Sequence, residues 1–159
     1  MASDIFAKLG DIKGESADDK HKDEIEVFSF SWGITHPGSS GAGAGQPSDR
    51  VAFKDLSIVH RIDKASPALM RACATGKHLD EAIITQRKAG KTQHEYLIIK
   101  MNDVTITGVV PESTSGEAGS EVVSLTFGKV HLEYRPQRPD GSLDAPIHFK
   151  YDLKGNKEA

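Results

Sequence analysis

The sequence predicts a mainly β fold that curls toward a barrel and carries one short α-helix. Three observations lead there. Hydrophobic residues alternate with polar ones over most of the chain, the signature of half-buried strands. Two of these runs change parity partway, which bends a strand and curls its sheet. Only one stretch, DKASPALMRACATGKH, has helical spacing with start and stop signals.

Taken in order, DIFAKL places Ile5, Ala7 and Leu9 on one strand face. KGESADDKHKDE (13–24) is polar and strongly charged, so it is predicted to be a connection without a packed core. In IEVFSFSWGI, Phe28, Phe30, Trp32 and Ile34 share the core face, while Ser29, Ser31 and Gly33 form a small polar wall that could line water or a cavity. VAFKDLSIVHRI (51–62) breaks parity between Val51 and Phe53 on one side and Leu56, Ile58 and Ile62 on the other.

The helix, about 66–75, has Ser66 as its expected N-cap, Pro67 as first residue and Gly76 as terminator. Leu69, Met70 and Cys73 fall on one face, enough to plug a barrel end. Further strands are expected in LDEAIITQRK (79–88), EYLIIKMNDVTITGVV (95–110) and EVVSLTFGKVHLEYRP (121–136). The last of these changes parity at Gly128 and Lys129, as a β-bulge would. PESTSGEAGS (111–120) reads as a hairpin connection. IHFKYDL (147–153) alternates cleanly, with Ile147, Phe149, Tyr151 and Leu153 on one face.

Composition bounds the function. At 159 residues, 37% hydrophobic and 27% charged, the chain is the size of one globular domain, 1–159. Its apolar runs, such as 96–99, are too short to span a bilayer. A net charge of −3 gives no general attraction to nucleic acid or anionic lipid. The start, MASDIFAKLG, lacks the apolar core of a secretory signal, and one cysteine excludes a disulfide framework. Both point to the cytoplasm as the place of synthesis.

Chemistry is sparse. GAGAGQP breaks the G-x-G-x-x-G spacing at Gln46, and Pro47 and a strand follow where a phosphate-binding helix would be needed. The run is therefore read as an inter-strand connector. Seven histidines include no H-x-x-x-H pair; His131 and Glu133 share a strand face, more simply a solvated pair than a metal site. There is no G-x-S-x-G elbow, and Cys73 sits on an apolar helix face. No catalytic, cofactor or metal residue is assigned, so a non-enzymatic binding or assembly role is expected. The alternatives are a small β-barrel binding protein or enzyme, which would need a polar constellation at the barrel mouth, and an adhesin, which would normally carry a signal peptide.

Several ordered blocks carry a resemblance. IFAKLGDIKGES with His21, IEVFSFSWG, the DLSIVHRIDKASPALMRACATGKH block, ITQRKAG, EYLIIKMNDV, EVVSLTFGKVHLEYRPQRPDGS and HFKYDL together resemble the haemolysin-coregulated protein (Hcp) family of type VI secretion systems, from about Asp4 to Leu153. The resemblance implies two packed antiparallel sheets forming a β-barrel, similar to phage tail-tube subunits. It further implies homohexameric rings stacked into a tube inside a contractile sheath, with baseplate proteins and a spike at the tip. Such a machine would export the chain from the cytoplasm without a signal peptide. Small effectors would ride in the ring lumen, which Ser29 and Ser31 are expected to face. The 36–50 loop is expected to reach a neighbouring ring or subunit, and with six residues after Leu153 no appended toxin domain is expected.

Overall fold

The computed structural model describes residues 3–37, 51–90 and 92–159; the glycine-rich run 38–50, with most of the expected loop contact to a neighbour, lies outside them. In chain order the strands are β1 (Ser3–Leu9), β2 (Ile25–Ser31), β3 (Ile34–Thr35), β4 (Ala52–Phe53), β5 (Leu56–Arg61), β6 (His78–Lys88), β7 (Glu95–Glu112), β8 (Ser120–Thr126), β9 (Lys129–Tyr134), β10 (Ile147–Asp152) and β11 (Lys157–Glu158). The helix α1 (Ser66–Thr75) lies between β5 and β6. Strands pair in the order β11-β10-β9-β7-β6-β1-β2-β5-β8, and β8 also pairs with β7, which closes six of them into a barrel. β3 and β4 form a separate two-stranded ribbon.

The 18-residue β7 makes this possible because it changes partner along its length. Its first part, 97–102, pairs with β9, and its last part, 105–112, with β8. Asp103 marks the turnover with φ 55°, and the Gly128 N–H reaches the carbonyls of Asn102 and Asp103. The parity change expected as a bulge at Gly128 is therefore a full break between β8 and β9. Each half keeps its own apolar face inward, Val123, Leu125 and Phe127 before the break and Val130 after it.

The barrel interior is filled by alternating residues of every wall strand. Leu9, Ile25, Leu56, Ile58, Ile84, Ile99, Met101, Ile106 and Leu125 have almost no exposed surface. Each such side chain contributes about 1.5–3 kcal/mol by leaving water. A second cluster, Trp32, Phe53, Phe127 and Tyr151, packs the ribbon and β10 against the barrel, with ring centroids 5.0–6.4 Å apart.

Other expectations need correction as well. The aromatic face of β2 is not continuous: a bulge between Val27 and Ser29 switches the inward parity, so Ile25 and Val27 are buried and Phe28 is 59% exposed. Phe30 and Trp32 do pack on the core, but Ile34 stands in the ribbon, half in solvent. Ser66 is not the helix cap. Ala65 takes that position, and the Ser66 hydroxyl instead donates to Glu121.

On α1, Leu69 and Ala72 are buried with Ala65, whereas Met70 is 43% exposed, because the helix leans on β7 by a narrower stripe than expected. Gly76 ends the helix in the left-handed region at φ 65°, and the Lys77 N–H closes on the Ala72 carbonyl. The 13–24 connection is also packed, contrary to expectation. His21 stacks on Phe6 at 4.5 Å and 8°, and Ile12, Ser16 and His21 are buried.

Candidate functional site

The outward face of β2, β5, β8 and the end of β7 carries the residues singled out in sequence. Ser29 and Ser31 both project from it into solvent. The register extends each into a row across four strands. Ser31 lines up with Ser57, Ser124 and Gly108, and the Ser57 and Ser124 hydroxyls are 3.1 Å apart. Ser29 lines up with Val59, Val122 and Val110. Gly33 lies past the end of β2, half-buried beside Lys54, and is not part of this wall.

Among the described residues, both lateral ends of this four-strand sheet lack a partner strand. On the far side of 29–31 no described residue pairs with β2, because β1 meets it only through Ile25–Val27. At the other end β6 stops pairing at Thr105, so 106–112 of β7 pair with β8 alone. A proline cannot donate into a ladder, and Pro111 lies on this stretch. N–H groups point the same way every second residue, so Val109 and Pro111 share the open side. Successive antiparallel pairings make β2 and the end of β7 run in opposite directions.

The polar clusters elsewhere are structural. His60 and Glu121 are fully buried with Nε2 and Oε1 2.8 Å apart, and Ser66 donates to the same oxygen at 2.7 Å. This ties α1 to β5 and β8 at the barrel end. The serine faces the carboxylate and not the imidazole, so no activated nucleophile results. Burial pushes the nearby Asp63 carboxyl up from its ordinary value. On the opposite flank, His131 pairs with His148 at 2.8 Å and not with Glu133, whose carboxylate accepts from Arg135. Burial, with Lys150 and His148 alongside, holds His131 below the usual histidine range.

Arg87 is the most constrained charge. It lies buried over the Phe6 ring at 4.8 Å and donates to Asp18, with one Nη1 contact of 2.9 Å, and more loosely to Asp4. These hydrogen bonds hold the Asp18 carboxyl down at about 2. Cys73 is half-buried on α1. Among the described residues, no three His, Cys, Asp or Glu side chains are grouped to hold a metal, and no helix is long and apolar enough to cross a membrane.

The geometry defines a small closed β-barrel in which, among the described residues, one outward sheet face is built of serine and valine rows and both edges of that sheet lack a partner strand. The family of type VI secretion system effectors, Hcp, matches residues 6–134. Protein hcp1 of Pseudomonas aeruginosa is 42% identical over the whole of both chains. The crystal structure of Hcp1 from Salmonella typhimurium superposes with a TM-score of 0.80 at 38% identity, covering both chains completely. A structure described as a type six secretion system protein superposes at 0.91 with 25% identity, covering 99% of this chain and 100% of its own. The chain belongs to the Hcp family of type VI secretion proteins.

Proposed function

We propose that the chain, acting as one unit, is the inner-tube subunit of a type VI secretion system. Six copies close into a ring, and rings stack into a tube that a contracting sheath drives outward behind its spike. The observation that carries this reading is the pair of open edges. An exposed strand edge is a template for another strand, and natural proteins cover or pair such edges. Here the two edges lie at opposite ends of one sheet and run antiparallel, so the β7 end of one copy continues into β2 of the next. That contact is head-to-tail, which a cyclic ring requires.

In this ring the outward face of that sheet is the one turned inward. Ser29 and Ser31 then line the lumen, where small effector proteins are held before firing. The work is mechanical containment and export, from cytoplasm to the outside or a target cell, with baseplate, sheath and spike as partners. Neither catalysis nor a cofactor enters it.

Light scattering on the purified chain tests the reading: a mass near six copies is expected. Val109→Pro removes an N–H on the open side of β7 without touching the ladder to β8. It should leave the barrel folded by circular dichroism and shift the mass to smaller species. Six-copy rings in the variant would refute edge pairing; a wild type that stays monomeric at high concentration would refute the ring. Ser31→Phe should keep rings intact but lower effector retention, and full retention would remove Ser31 from the lumen.

A further inference from the structure

The row beside the serines has the opposite chemistry. Val59, Val122 and Val110 stand side by side on three neighbouring strands, Val122 37% and Val110 62% exposed. Together with the Ser31, Ser57, Ser124 and Gly108 row and Ser29, they make eight adjoining positions without an ionisable group. The chain as a whole is 27% charged. On the side away from the serines the valine row is bounded by Arg61, Ser120 and Glu112, which follow in register. A contiguous apolar strip rimmed by polar residues marks a contact surface.

We infer that Val59, Val110 and Val122 form an apolar belt that holds cargo in the ring lumen by contact with an uncharged, apolar surface of the cargo protein. This rests on the ring reading above. The belt runs from the β7 edge of one copy toward Ser29 of the next, on the same face as the serines. In that ring, with this face turned inward, only a body inside the lumen reaches it. The eight positions themselves carry no charge to offer a cationic or anionic partner, and an apolar partner is matched there by contact area. Recognition at the belt is therefore insensitive to salt, whereas a charged lumen would release its cargo as ionic strength rises.

Neither row is visible as a unit in the sequence, because its members come from four separated segments and meet only through strand register. The serine row is small enough to leave the floor of the wall flat, while the valines stand above it as ridges that a cargo surface grips.

The probe is a fluorescent, net-neutral, leucine-rich amphipathic peptide titrated into assembled rings. Wild-type rings should bind it with equal affinity at low and high salt, and a variant carrying V59S and V122S should bind at least fivefold more weakly. I147S, an exposed apolar residue on β10 away from this face, should change nothing. Light scattering on every variant keeps the two readings apart. Absence of wild-type rings would refute the ring itself. Intact rings with unchanged peptide affinity in the double variant, strongly salt-dependent binding, or an equal loss in I147S would overturn the belt. Loss of rings in the double variant would make the valines a contact between copies and overturn it too.

Discussion

At the residue scale, the 13–24 connection is held by one aromatic ring with a cation on it. Phe6 carries the stacked His21 and the Arg87 guanidinium, and Arg87 in turn grips Asp18. His21 also reaches Glu24 at 3.0 Å and Glu95 at 2.7 Å, tying the connection to β7. Removing one partner of a buried ion pair leaves an unpaired charge, so Arg87→Met should cost about 2–4 kcal/mol. For a chain of this size that is a fall in Tm of about 5–15 °C. The pH dependence follows from Asp18, whose carboxyl is at about 2 in the fold against an ordinary 3.8. Its folded value is depressed, so the stabilisation is fully present above about pH 4 and is lost as pH falls toward 2. The advantage of wild type over R87M should therefore shrink between pH 4 and pH 2; a constant difference across that window would show that Asp18 is not what Arg87 stabilises. None of these partners was legible in the sequence. Phe6 falls on the solvent parity of β1, and its burial depends on a polar loop folding back over it.

At the scale of elements, strand positions were legible and strand partners were not. Period two located β1, β2, β5, β6, β7 and β10, since each has one face in the core and the other in water. The parity breaks located the real discontinuities but misjudged their kind. Gly128 looked like a bulge within one strand, whereas it is the point where the chain leaves β8, paired with β5 and β7, for β9, paired with β7 and β10. Local pattern records only which side of a residue is apolar, and it carries no sign of which distant strand lies beside it. The helix was located correctly at 66–75 and only its cap was misassigned: Ser66 has the right residue type for a cap, but Glu121 from β8 claims its hydroxyl.

The 13–24 element offers a direct test of packing in a segment whose composition looks like solvent-exposed loop. A Cβ added at Gly14 would lie 2.5 Å from the Glu24 carbonyl oxygen and 2.8 Å from the Ile25 Cα, both backbone atoms. Gly14 and Ser16 donate their N–H groups to the Asp23 and Glu24 carbonyls, so the two arms of the connection are laced together. Gly14→Ala must spread them, at a cost of about 1–3 kcal/mol. Limited proteolysis should cut within 13–24 faster in the variant than in wild type. Equal cleavage rates and an unchanged Tm would mean that the arms separate freely.

At the scale of the whole molecule, the proposed ring would make assembly and stability one equilibrium. The Ser29 and Ser31 wall was foreseen because alternation alone sets them opposite Phe30. The open edges beside it were invisible, because an unpaired edge is defined by a partner strand that stops short. If copies join through those edges, folding and ring closure are linked by mass action, and anything that binds the native chain raises its apparent stability. For six copies a tenfold rise in concentration adds about 1 kcal/mol per chain, a rise in Tm of about 2–4 °C. Val109→Pro interrupts the edge, so its Tm should not move with concentration while its barrel remains closed by the β7 and β8 ladder. The contrast separates a lost interface from a damaged fold, since a merely destabilised barrel that still formed rings would start lower and climb with the same slope. A wild-type Tm independent of concentration would leave the two edges as ordinary solvent-facing strands.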